Sequence, residues 1–193
     1  MFKRFDPDKD VSTSTQVKSS VQRGIKSQLI EGCLSSLSSS SVGGGGGGGG
    51  GEEEEARRLE IVDDLFPKSN PLIQYKVGPH LMLYCFKNGE PALFQARDGP
   101  ILPTLKLVHA YGDQIPFVSV RVDKGAIPFI LGGANIMCPG LTNPGAVMPP
   151  DIDDDENFIH TPALLKGQAV VVYAEGKEYA IAVGVMKMSS LDV

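Results

Sequence analysis

Residues 35–55 read SSLSSSSVGGGGGGGGGEEEE, a serine and glycine tract that runs into four glutamates. Such a segment buries too little apolar surface to offset the entropy of ordering its backbone, so it is expected to be a disordered linker. It divides a chain of 193 residues into a short leading piece and a longer block from Ala56 onward that is rich in Val, Ile, Leu, Phe and Met. Loop closure costs grow only slowly with loop length, so the two pieces can still share one core. The expected organisation is a small N-terminal α+β domain made of residues 1–34 and 56–116, followed by a second, β-rich domain over residues 117–193.

Charge narrows the partners less than the formal value of −5 suggests. Nine of the 23 acidic residues lie in two clusters, Glu52–Glu55 and Asp151, Asp153, Asp154, Asp155 and Glu156; setting these aside leaves 18 basic against 14 acidic residues. Mild local basicity is compatible with phosphate binding. Cys33, Cys85 and Cys138 are far apart, as are His80, His109 and His160, so neither a disulfide framework nor a zinc site is expected, and no cofactor is implied. The polar start MFKRFDPDKD lacks the apolar core of a secretory signal. The apolar stretch Ala126–Leu141 is interrupted by Pro128, Gly132, Gly133, Pro139 and Gly140, which disqualifies it as a membrane span. The expectation is a cytoplasmic protein without a membrane anchor.

Periodicity supplies the elements. Val17, Val21, Ile25 and Leu29 recur at a spacing of four, predicting an amphipathic helix over 15–31. A second helix is predicted over 56–66, with Leu59, Val62, Leu65 and Phe66 inward and Pro67 ending it. LIQYKV, HLMLYCF and PALFQAR read as two or three antiparallel strands, with Asn88-Gly89 at a tight hairpin turn. Thr104–Ala110 follows as a short helix with Leu105, Val108 and His109 inward. Beyond Pro116 come a strand (FVSVRVD), a helix (KGAIPFILGG) that Pro128 can enter only in its first turn, and a short apolar strand (ANIMCPGL). Two strands around Glu175-Gly176-Lys177 close the chain.

Catalytic constellations are hard to find. The lone G-x-G-x-x-G match lies inside the glycine run with no strand before it. Asp123 beside Lys124 reads as a helix cap rather than a proton-transfer pair. Cys138 has no local histidine to draw it toward thiolate and reads as a small buried hydrophobe, and His109 reads as a core residue. More informative is the order of the glycine-marked blocks: DKGA at Asp123–Ala126, GANIMCPG at Gly133–Gly140, KGQAVVV at Lys166–Val172, and AIAVGV at Ala180–Val185.

Those blocks resemble the PUA domain, an RNA-binding pseudobarrel. VDKGAIPFILGGANIMCPGLTNPGA with YAEGKEYAIAVGVMKMS, the MFKRFD start and the KSSVQRGIKSQLIE helix together resemble the malignant T-cell-amplified sequence family across about 150 residues, all but the linker and the acidic loop. The resemblance implies an α+β fold in which a pre-PUA domain precedes a PUA-type pseudobarrel; because the chain stops soon after VGVMKM, that barrel is expected to lack its last strand. It further implies a cytoplasmic translation factor, not an enzyme, that binds the 40S ribosomal subunit and tRNA, acts in reinitiation and post-termination recycling, and pairs with density-regulated protein.

Carried onto this chain, the RNA-facing candidates are Lys124, Gly125, Ala126, Asn135, Met137, Cys138, Pro139 and Gly140. Lys124 supplies charge to a phosphate, Gly125 and Gly140 let backbone N–H groups approach sugar or phosphate, and Asn135 pairs with a base or ribose; Met137 and Cys138 fit the core better than a contact surface. Lys3, Arg4, Lys18, Arg23 and Lys26 form a candidate rRNA patch. Two alternatives stay open: a tRNA- or rRNA-modifying enzyme component that uses the PUA domain as an anchor, and a protein-binding regulator that has lost RNA contact.

Overall fold

The structure is a computed structural model that describes residues 7–34, 60–97, 99–112, 114–115, 117–149 and 163–193. These fall into two compact units, one reaching Ile115 and one beginning at Phe117.

The first unit runs α1 (Pro7–Asp10), β1 (Val11–Gln16), α2 (Ser19–Cys33), helical residues 60–65 (α3), β2 (Ile73–Val77), β3 (Leu81–Cys85), β4 (Pro91–Ala96), β5 (Ile101–Pro103) and α4 (Leu105–Tyr111). Its sheet is antiparallel in the order β1-β2-β3-β4-β5. Five strands thus stand where two or three were expected. The first of them, VSTSTQ, occupies residues that the predicted helix partly claimed: its β-branched alternation pairs with β2 from Val11 to Gln16, and the helix begins only at Ser19. Between β3 and β4 the chain turns at Gly89, whose φ of +85° suits glycine, with Asn88 Oδ1 accepting from Glu90 N–H.

Helix α2 buries Gln22, Ile25, Leu29 and Cys33, whereas Val21 is 49% exposed. The expected spacing therefore holds for Val17, Ile25 and Leu29 and fails at Val21, because the helix is turned so that the Gln22 amide faces inward. Gln22 Nε2 donates to the carbonyls of Phe66 and Pro67, and its Oε1 accepts from Leu72 N–H. Phe66, buried at the end of α3, stacks on Phe86 with ring centroids 5.6 Å apart. In α4, Thr104 caps the helix by accepting from Leu107 N–H, and Leu107 and Val108 point inward. His109 lies on the exposed side, contrary to its expected core position.

The second unit carries β6 (Ser119–Val122), a 3₁₀ turn (Lys124–Ala126), α5 (Ile127–Leu131), α6 (Pro139–Thr142), β7 (Ala169–Ala174), β8 (Ala182–Val185) and a 3₁₀ turn (Ser190–Asp192). Strand β7 is central, parallel to β6 and antiparallel to β8. Its AVVVYA sequence is apolar nearly throughout because both faces are covered, whereas β6 alternates and buries Val120 and Val122. Around them pack Val118, Leu141, Met148, Leu164, Val170, Val172, Ala174 and Met186; a fully buried Val or Leu contributes about 1.5–3 kcal/mol. Gly176, at φ +68°, turns β7 into β8. The stretch ANIMCPGL is not a strand. Residues 134–138 form an exposed connection, and Pro139 opens α6, whose Leu141 is the buried anchor.

Candidate functional site

The DKGA block sits at the end of β6. Asp123 Oδ2 accepts from Gly125 N–H at 3.1 Å and so caps the 3₁₀ turn. Asp123 N–H donates to Gly140 O at 3.0 Å, which fastens the turn to α6. An antiparallel bridge between Arg121 and Val147 ties β6 to the chain beyond α6. The DKGA and GANIMCPG blocks, separated by six residues in sequence, thus meet in the second unit.

Exposure sorts the candidates. Lys124, Gly125, Asn135 and Pro139 are exposed, and Ala126 and Gly140 are partly covered. Met137 is 71% exposed and Cys138 is also exposed, so both leave the core where burial tendency would put them. The cause is local: in the connection leading into α6, Ile136 packs against the core and Leu141 is buried in it, while Met137 and Cys138 between them face outward. Cys138 Sγ lies 4.0 Å from Met188 Sδ.

The two glycines act differently from expectation. Gly125 N–H is taken by Asp123, and Gly140 N–H donates to Met137 O at 2.9 Å, so neither offers a free donor to a phosphate. Gly140 serves close packing instead, since a Cβ there would lie 3.1 Å from Ala126 Cβ. What the surface presents is the Lys124 side chain, the Asn135 amide and the Met137 thioether.

Glu175 reads in the sequence only as part of the turn between the last two strands. It follows β7, its N–H donates to Val122 O at 2.9 Å, and its Oε2 accepts from Lys124 N–H at 3.3 Å. No local pattern marks it, because its partners are supplied by other elements.

In the first unit, Lys18, just ahead of α2, and Arg23 on α2 are exposed. Lys26 is not available in the same way: its ammonium donates to Asp63 and to Phe66 O, and its side chain is only 13% exposed. Lys26 joins α2 to α3. Lys3 and Arg4 lie outside the described residues. A surface groove of ≈ 830 Å³ in this unit is lined by residues that include Ile61, Leu65, Phe86, Lys106 and Tyr111. At its rim Glu90 pairs with Lys106, whose hydrogen bond holds the carboxyl below its usual range. Among the described residues no group of three or more His, Cys, Asp or Glu side chains could hold a metal ion, and no helix is long and apolar enough to cross a membrane.

Comparison with known proteins agrees with this layout. Residues 54–111 match the Pre-PUA-like domain, and residues 118–193 match the model described as elF2D, PUA domain. The full chain is 40% identical to Translation machinery-associated protein 20 of Schizosaccharomyces pombe, 39% to Malignant T-cell-amplified sequence 2 of Homo sapiens, and 38% to a Malignant T-cell-amplified sequence 1 homolog of Dictyostelium discoideum. In each case the match spans 100% of this chain and 86% of the relative. The chain belongs to the malignant T-cell-amplified sequence family. Two solved structures share the fold: a hypothetical protein of Pyrococcus horikoshii (TM-score 0.60, 21% identity, 93% of this chain and 85% of that one) and a PUA domain of Aeropyrum pernix (TM-score 0.54, 18% identity, 93% and 75%). Membership makes the protein an α+β chain of the pre-PUA and PUA type, related to translation. Within the family frame the exposed DKGA turn and the GANIMCPG connection belong to the PUA domain.

Proposed function

We propose that this protein is a non-enzymatic RNA-binding translation factor that engages the small ribosomal subunit and tRNA in the cytoplasm, during reinitiation and post-termination recycling, with a density-regulated-type protein as its partner. The observation that carries the reading is the match of residues 118–193 to a PUA domain, in the unit that leaves Lys124 and Asn135 exposed. Lys124 faces a phosphate, while Asn135 and Met137 border the RNA and give hydrogen-bonding and apolar contact to an unstacked nucleotide. In the first unit the exposed Lys18, ahead of α2, and Arg23 on it contact rRNA.

Filter binding of tRNA to the purified protein across a salt series tests the reading. Affinity should fall steeply with salt, with a slope near that of a few phosphate contacts. Binding no stronger than that of an acidic control protein would favour the protein-binding regulator. Turnover of a tRNA modification that a point substitution abolishes would favour the enzyme component. Co-purification of 40S subunits and a density-regulated-type protein from cytosolic extract tests the partners.

A further inference from the structure

We infer that Glu175 is the positioning residue of the RNA-facing turn: one carboxylate fixes Lys124 on one side and the loop at Gly145 on the other. The inference rests on the RNA reading proposed above and adds to it a residue outside both glycine-marked blocks.

Three contacts converge on Glu175. Its N–H donates to Val122 O at 2.9 Å, which anchors its backbone to the last residue of β6. Its Oε2 accepts from Lys124 N–H at 3.3 Å, so the carboxylate reaches the first residue of the 3₁₀ turn. Its carboxylate also lies flat against Gly145, where a Cβ would come within 2.5 Å of Cδ and Oε2 and 2.9 Å of Oε1. Real Cβ atoms do not approach so closely, and Gly145 has φ +92°, a conformation that other residues adopt only under strain. The backbone around Glu175 is closed by the turn at Gly176, where Lys177 N–H donates to Ala174 O at 3.0 Å.

The consequence is a single arrangement for two loops. Gly125 N–H is bound by Asp123 and Asp123 N–H by Gly140 O, which leaves Lys124 N–H as the link from the turn to the β7–β8 hairpin. Without that link the Lys124 side chain samples more directions, and RNA binding bears the cost of ordering it. The carboxylate also places negative charge beside the surface that Lys124 presents, which opposes a phosphate there. Position and charge therefore act on affinity with opposite signs, and substitutions separate them.

The test uses the full chain and two readouts. Amide hydrogen exchange at Lys124 should accelerate in Glu175→Ala and return to the wild-type rate in Glu175→Gln, whose amide oxygen keeps the acceptor. tRNA binding should be roughly five-fold weaker in Glu175→Ala than in Glu175→Gln, a loss in the range of one hydrogen bond, since both variants lack the charge and only the amide keeps the acceptor. In Glu175→Gln it should equal or exceed wild type, a recovery that a requirement for the charge itself would not give. In thermal unfolding, Gly145→Ala should lower Tm less in the Glu175→Ala background than in wild type, because the steric conflict is then gone. Unchanged exchange at Lys124 in Glu175→Ala overturns the positioning role, as does equal tRNA affinity of the Glu175→Ala and Glu175→Gln variants when the wild type does bind tRNA. A wild type that binds no tRNA overturns the RNA reading itself, and the role of Glu175 with it.

Discussion

Gln22 and Leu72 are joined by a hydrogen bond from Leu72 N–H to Gln22 Oε1 at 3.2 Å, across fifty residues of sequence. Leu72 is fully buried, and the same amide donates to the carbonyls of Phe66 and Pro67. One side chain therefore satisfies three backbone groups at the point where α3 ends and the chain enters β2. Replacing Gln22 by Leu keeps the volume but takes the acceptor from the buried Leu72 N–H, while Phe66 O keeps Lys26 and Pro67 O keeps Asn70 N–H. The expected loss is about 1–3 kcal/mol, measured by urea denaturation at constant m-value. Gln22→Glu should be no better, since a carboxylate cannot donate to the two carbonyls. Wild-type stability in Gln22→Leu would show that water replaces the amide.

Lys26 separates stability from RNA contact in the first unit. Its ammonium is held by Asp63 and Phe66 O, whereas Arg23 on the same helix and Lys18 just ahead of it are exposed. Asp63 is 72% exposed, so solvent screens most of the ion pair, and Lys26→Met should cost only about 1 kcal/mol. Binding to 40S subunits should change little in that variant and fall clearly in Lys18→Glu/Arg23→Glu. A sedimentation assay that ranks the two the other way would move the rRNA contact to Lys26.

How far the sequence foretold these features depends on the range of the interactions involved. Patterns of period two marked β2, β3 and β4, and Asn88-Gly89 marked their turn, because strand alternation and turn geometry are decided within a few residues. Val21 was misplaced because a spacing of four cannot tell which of two adjacent residues faces the core. That choice was made by Phe66, Pro67 and Leu72, whose backbone groups need an amide and are remote in sequence. ANIMCPGL misled for a related reason: its apolar residues suggested a strand, but Pro139 starts a helix and residues 134–138 stay at the surface. The role of Glu175 was invisible because its contacts, Lys124 and Gly145, come from other parts of the fold. Lys124 itself was legible, since Asp123 ahead of Gly125 is a capping pattern that can be read locally.

Lys124 also offers a direct test of the binding face. Its side chain is exposed, and its backbone contact to Glu175 is made through N–H, so changing the side chain leaves the cap and the turn intact. Lys124→Glu should keep the wild-type Tm within about 1 °C, as surface substitutions usually alter stability by under about 0.5 kcal/mol. Affinity for tRNA should fall, and the dependence of log K on log salt should become shallower by about one unit, the share of a single phosphate contact. Equal binding by both proteins would remove Lys124 from the interface.

The three thiols differ by environment in a way that pH can expose. Burial pushes Cys33 up from 9.0 to about 12, and its Sγ donates to Ile101 O at 3.6 Å; burial raises Cys85 too, whereas Cys138 is exposed. At pH 8 a thiol reagent should therefore modify Cys138 first, and Cys33 only when the first unit opens, since the attacking species is an accessible thiolate. Linkage fixes the sign for stability. Above pH 9 the unfolded chain releases the Cys33 proton while the folded chain retains it, so the unfolded state binds fewer protons and unfolding becomes easier as pH rises. The contribution is fully present below pH 9 and is lost progressively toward pH 12. Cys33→Ala should lower stability at pH 7 through the small cavity it leaves, yet show a flatter decline between pH 9 and 11 than wild type. Parallel declines in the two proteins, followed by urea denaturation at each pH, would place the alkaline sensitivity on another group.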